Sequence, residues 1–121
     1  MTTIKAGLIQ MSLRGDATAD TPAEISAQMI AAHVPLIEDA ARQGVQVLAL
    51  QEIFNQPYFP ASEDVGWYSA AEAIPDGPTT VAMQDVARRL GIVLVVPIYE
   101  QAMAGIYYNT AVVIDADGRY L

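Results

Sequence analysis

The sequence predicts an α/β fold built on a mixed sheet, and three observations carry that expectation. Val45 to Leu50 and Ile92 to Val96 are near-continuous apolar runs rich in β-branched residues, the pattern of strands buried on both faces. Residues 22–43 and 78–90 place apolar side chains at helical spacing between those runs. Residues 106–114 form a further apolar stretch closed by Asp115-Ala116-Asp117-Gly118, which is turn chemistry leading into a return strand at 119–121.

Ile4 to Met11 opens the chain as a strand, and its almost unbroken apolarity implies a central place in the sheet. Thr21-Pro22-Ala23-Glu24 has the form of a capping box with proline at the first helical position. The helix it starts turns Ile25, Met29, His33, Leu36, Ile37 and Ala40 to one side and stops at Gly44. Pro35 lies inside it and should kink or split it near Val34, at a cost of about 3 kcal/mol if unrelieved. After the strand at 45–50, residues 55–76 form a long irregular connection with three of the prolines and the acids Glu63, Asp64, Glu72 and Asp76; connections of that length usually serve function. Gly77-Pro78 starts a second helix whose expected inner face is Val81, Ala82, Val86 and Leu90, with Arg88 and Arg89 at the end that favours cations. The strands near 4–11, 45–50, 92–98 and 107–114 should share one sheet.

Composition narrows the function classes. A net charge of -8 with only six basic residues argues against nucleic acid and against anionic membrane surfaces, both of which need clustered Lys and Arg. No apolar run reaches bilayer length, and the N-terminus lacks a signal-peptide pattern, so a cytoplasmic location is expected. There is no Cys, and His33 is the lone histidine, which removes disulfides, thiolate metal sites and histidine-rich ones. Hydrophobic residues make up 53% of the chain, a surplus for a small domain that must cover its own surface; more chain, another subunit or both should cover it. No phosphate-cradling glycine pattern occurs, and Asp115 to Gly118 has its glycine too early for a calcium loop. His33, on an apolar helix face, reads as a hydrogen-bonded core or interface histidine.

Glu52 stands apart. It follows the apolar run 45–50 and leads into Ile53-Phe54-Asn55-Gln56-Pro57-Tyr58-Phe59, which puts a carboxylate at the carboxyl end of a buried strand, where open α/β sheets gather ligands. A carboxylate buried there is expensive unless used. Its two readings are a catalytic base and a salt-bridge partner for one of the few arginines. Glu100, after the third strand, could support the same pocket or serve as an ion pair or cap. Asn109, within Tyr107-Tyr108-Asn109-Thr110, is placed with Glu100 behind Glu52, although packing and backbone bonding also account for that stretch.

Five blocks in order, Ala6-Gly7-Leu8-Ile9-Gln10-Met11, Leu50 to Phe59, Pro75-Asp76-Gly77-Pro78-Thr79, Val96-Pro97-Ile98-Tyr99-Glu100 and Tyr108 to Asp115, together resemble the N-terminal part of the nitrilase superfamily of carbon-nitrogen hydrolases. Gln51, the Phe54 to Phe59 loop and the His33 helix are most similar to its β-ureidopropionase branch. The resemblance implies a four-layer αββα sandwich, of which residues 1–121 would be the N-terminal part of a single domain. It implies chemistry by a Cys nucleophile, a Glu base and a Lys, with neither metal nor organic cofactor. Glu52 matches the base, while Tyr58 and Phe54 match the pocket wall. The matching Lys and Cys would follow Leu121, since Lys5 precedes the first strand. Burial beside Ile53 and Phe54 would favour protonated Glu52. The implied substrates are N-carbamoyl compounds or linear amides, with N-carbamoylputrescine amidase and ω-amidase as alternatives. A homo-oligomer is expected, and a non-catalytic assembly module is the alternative from another class.

Overall fold

The structure, a computed structural model, describes residues 1–121. Strand β1 (Ala6–Ile9) is followed by helix α1 (Pro22–Arg42), strand β2 (Val47–Leu50), two short 3₁₀ turns (Phe59–Ser62 and Val65–Ala70), helix α2 (Pro78–Leu90), and strands β3 (Val93–Met103) and β4 (Ile106–Ile114). The four strands form one sheet in the order β1-β2-β3-β4. The first two pairings are parallel and the last is antiparallel, as the alternation of strands and helices followed by a hairpin requires.

Strand alternation sorts the sheet into two faces. Leu48, Leu50, Leu94, Val96, Ile98, Val112 and Ile114 point to the helix side, where they are buried with Ile37 of α1 and Met83, Val86 and Ala87 of α2. Each fully buried Leu or Ile contributes about 1.5–3 kcal/mol, so this face holds the fold together. The other face presents Ala6, Leu8, Val47, Ala49, Val93, Val95, Ala111 and Val113, all apolar, and neither helix covers it. One sheet with helices on one side is half of an αββα arrangement.

Helix α1 begins as its sequence requires: Glu24 N–H donates to Thr21 Oγ1 at 3.3 Å, and Thr21 N–H donates to Glu24 Oε2 at 2.8 Å. Pro35 does not split it; the helix runs unbroken from Pro22 to Arg42, held by Ile25, Met29, His33 and Ile37, all fully buried. Leu36 is 43% exposed and so lies off the expected face. In α2 the inner face is Thr79, Thr80, Met83, Val86 and Ala87, with Val81 turned outward.

Strand β1 is an edge strand instead of a central one. It pairs only with β2, and its Leu8 is 74% exposed on the uncovered face, so apolarity there reflects the uncovered face instead of burial on both sides. Strand β3 continues to Met103, beyond the apolar run, because its second half pairs with β4 as a hairpin. The return at 119–121 is present: Leu121 N–H donates to Val113 O at 3.0 Å.

Candidate active site

The chain leaves β2 at Leu50 and turns sharply. Ile53 sits at φ 47°, in the left-handed region that a β-branched residue rarely adopts, and its side chain is buried. Such a conformation costs roughly 1–3 kcal/mol and persists only where the surroundings fix it. Phe54 N–H then donates to Pro97 O at 3.2 Å, stitching the turn to β3 on the side that β2 has just left. The result throws Glu52 outward while Ile53, Phe54, Asn55 and Gln56 go inward.

Glu52 reaches over β3 to β4, where Asn109 Nδ2 donates to its Oε1 at 2.5 Å. Asn109 is the register partner of Tyr99, so both share the uncovered face. Tyr107 shares that face as well and stacks on Tyr99 with centroids 5.4 Å apart. The rings continue outward: Tyr68 stacks on Tyr107 at 4.9 Å, Phe59 meets Tyr99 edge-on at 4.9 Å, and Trp67 stacks on Phe59 at 5.7 Å. Burial, followed by the neighbouring Tyr68 and Tyr107 phenols, holds the Tyr99 hydroxyl above its usual range. The 3₁₀ segments are thereby pinned against the hairpin, and an aromatic wall stands beside the Glu52 carboxylate. These rings come from segments far apart in sequence, so no local pattern announces that they meet.

Several expected site residues are placed differently. Glu52 is exposed in this chain, because it leaves the strand on the face that no helix covers; the expected burial beside Ile53 and Phe54 is absent. Phe54 is not a pocket wall. It is fully buried in the core and meets His33 edge-on at 5.0 Å, because the left-handed residue before it reverses the side-chain direction. Glu100 does not support Glu52: strand alternation puts it on the helix side, where it accepts from Thr110 Oγ1 at 2.5 Å. Tyr58 is 59% exposed, and its ring takes no part in the aromatic stack beside Glu52. His33 is a core residue, its Nδ1 bonded to Met29 O at 2.8 Å and its basicity lowered by burial, against the raising effect of that bond.

Sequence reasoning passed over Glu72. Helix α2 has Gly77 at its N-cap and so no capping side chain of its own. Glu72 supplies the missing acceptor: Oε2 accepts from Thr79 N–H at 2.8 Å, and Oε1 from Thr79 Oγ1 at 2.6 Å and Asn55 Nδ2 at 3.2 Å. A glycine N-cap a few residues after an acid was the available signal.

A mixed sheet carrying a hydrogen-bonded carboxylate at the carboxyl end of a parallel strand, beside an aromatic wall, defines an α/β protein with a candidate active site. The profile of the carbon-nitrogen hydrolase family matches residues 5–121, and the chain belongs to that family. It is 35% identical over 86 residues to an N-carbamoylputrescine amidase of Solanum lycopersicum, covering 71% of this chain and 28% of that protein. It is 30% identical over 120 residues to a β-ureidopropionase of Arabidopsis thaliana, covering 98% of this chain and 29% of that one. An ω-amidase of Xenopus laevis is 38% identical over 90 residues, 71% of this chain and 29% of that protein. The chain thus spans about three-tenths of the curated relatives' length. A carbon-nitrogen hydrolase from Helicobacter pylori G27 superposes with a TM-score of 0.82 at 24% identity, over 97% of this chain and 37% of that one. No helix here is long and apolar enough to cross a membrane.

Proposed function

We propose that this chain contributes the general base, Glu52, to a hydrolase that cleaves the C–N bond of N-carbamoyl compounds or linear amides. The observation that carries the reading is the Glu52 carboxylate at the end of β2, oriented by Asn109 beside Tyr99. Family membership supports it. Residues 1–121 contain no Cys, so the thiol of this reaction comes from outside them, as does the Lys that holds the oxyanion. Glu52 takes the thiol proton as sulfur attacks the carbonyl carbon, and returns it to the departing nitrogen. It then takes a proton from the water that splits the acyl–sulfur bond. In this reading the rest of the αββα sandwich covers the uncovered apolar sheet face, and the complete protein is taken to be a homo-oligomer.

The distribution of charge supports substrates that carry an amine over those that carry an acid. Arg42, Arg88, Arg89 and Arg119 lie at the end of the sheet opposite Glu52, each paired with a carboxylate there. Lys5 is at the same end, bonded to Gln43 O at 2.6 Å. The formal charge of -8 therefore falls almost wholly at the Glu52 end, where Arg14 is the one cation among Asp16, Asp20, Glu63, Asp64, Glu72 and Asp76. Such a field raises the local concentration of a cationic substrate and repels an anion. The β-ureidopropionase reading favoured by Gln51 and the Phe54 to Phe59 loop thus ranks below a ureido amine. The test is ammonia release by the complete protein from N-carbamoylputrescine and from N-carbamoyl-β-alanine at low and high salt. The cationic substrate should be preferred, with a preference that shrinks as salt rises. Release from neither compound nor from simple linear amides would refute the reaction class.

A further inference from the structure

We infer that Glu72 is a positioning residue for Glu52, gripping both structural anchors that aim the carboxylate. The inference rests on the reading of Glu52 as the base, but its geometry is independent of it. The first anchor is the strained turn at Ile53. Asn55 lies in that turn, is 1% exposed, and donates through Nδ2 to Glu72 Oε1 at 3.2 Å and to Thr79 Oγ1 at 3.0 Å. A left-handed β-branched residue needs neighbours that hold it; Phe54 N–H to Pro97 O and Gln56 Nε2 to Pro22 O at 2.8 Å are two such ties, and the Asn55 side chain is the one that reaches Glu72.

The second anchor is the stretch of β3 that faces Asn109. Glu72 N–H donates to Tyr99 O at 3.0 Å, and Gln101 N–H donates to Glu72 O at 2.9 Å. These bonds bracket the edge of β3 that β2 no longer covers, and Tyr99 is the register partner of Asn109. One residue therefore ties down, with its side chain, the turn that carries Glu52 and, with its backbone, the strand opposite the amide that Glu52 contacts. Its own position is fixed by close packing. A Cβ at Gly77 would come within 2.4 Å of Ala73 O and 2.9 Å of Glu72 Cβ, so the strap formed by residues 59–77 leaves room only for glycine there.

The chemistry of the cluster makes the assignment testable. Every group facing the Glu72 carboxylate donates: Asn55 Nδ2, Thr79 Oγ1 and Thr79 N–H. Glu72→Gln keeps the shape but, whichever way its amide lies, sets an NH₂ against a donor, either the Asn55 NH₂ or the Thr79 N–H. Glu72→Gln combined with Asn55→Asp restores a donor–acceptor pair with the roles exchanged.

In the complete protein, Glu72→Gln should lower kcat about 10²-fold, the scale of a misplaced catalytic group, with KM changed less than about threefold. The acid limb of the kcat/KM profile should move with it. Asn55→Asp/Glu72→Gln should recover kcat to within about tenfold of wild type. The side-chain amide signal of Asn109 in ¹⁵N-edited NMR should shift in Glu72→Gln and return in the double variant; this readout needs no activity. A Glu72→Gln protein with a lowered Tm, unchanged kcat and an unmoved Asn109 signal overturns the inference, as does a double variant that fails to recover either readout. If instead Glu52→Gln stays active, the base reading falls, and the Asn109 signal still decides the role of Glu72.

Discussion

Replacing Glu52 by Gln separates catalysis from stability more cleanly than any other substitution in this chain. The side chain is exposed, and its one hydrogen bond is the contact with Asn109 Nδ2. Gln matches the carboxylate in size and retains an oxygen that can accept that bond. The expected change in Tm is therefore at most a few degrees. The loss of a proton acceptor is a different matter. General base catalysis is worth about 10²–10⁴-fold, or about 3–5 kcal/mol of barrier, and a group used in several steps belongs at the upper end. The ratio of the two effects is the diagnostic. The assay is kcat/KM for ammonia release by the complete protein, beside thermal melts of the same samples. Glu100→Gln is the control: its carboxylate faces the helices and holds Thr110, so it should cost activity far less than Glu52→Gln and act mainly through stability. Near-wild-type turnover by Glu52→Gln would show that the carboxylate is structural and would refute the catalytic assignment.

Phe54→Ala should destabilise by about 3–5 kcal/mol in chemical denaturation and leave KM of the surviving folded fraction unchanged, since the ring is buried against His33 and touches no site surface. At Ile53, Gly should be as stable as Ala or more so, reversing the usual order of about 0.5–1 kcal/mol in favour of Ala, because the backbone there is left-handed; a clear advantage for Ala in urea melts would contradict the strain. Burial holds the basicity of His33 below the ordinary 6.5, against the bond to Met29 O. The unfolded chain therefore binds more protons around and below that pH, and stability should fall as pH drops below about 6.5; His33→Phe should flatten that slope. Asp16 and Glu24, lowered chiefly by their bonds to Thr18 and Thr21, contribute stability that is lost only at lower pH, below the ordinary carboxylate values of 3.8 and 4.5. Residues 1–121 alone should release no ammonia from any of these substrates, having no thiol, and detectable turnover would sink the proposed division of labour.

The layered architecture was legible because it depends on side-chain periodicity, which a sequence displays directly. The Thr21 box, the glycines after α1 and α2 and the turn at Asp115 to Gly118 all lie where local chemistry puts them. What misled was burial read from apolarity alone. Leu8 is apolar for the sake of a face these residues leave open, so the edge strand β1 looked central. Phe54 was misplaced for a conformational reason: a left-handed Ile53 cannot be anticipated from residue type, and it reverses which of the following side chains point inward. Glu100 failed by one step of the pleat. Glu72 was hidden because its partners, Asn55, Thr79 and the backbone of Tyr99 and Gln101, come together only once the strap is folded across the sheet end.

The train of rings from the 3₁₀ segments to the hairpin has a practical consequence. Trp67 is the single tryptophan of residues 1–121, and it stands at the outer end of that train, stacked on Phe59, which in turn meets Tyr99. Its emission is thus a built-in gauge of one thing, the seating of the strap beside the carboxylate. Light absorbed by the tyrosines should reappear at the indole while the rings are in register and fade when they part. A single fluorimeter trace can therefore follow the opening of this corner separately from the melting of the core, where no tryptophan resides.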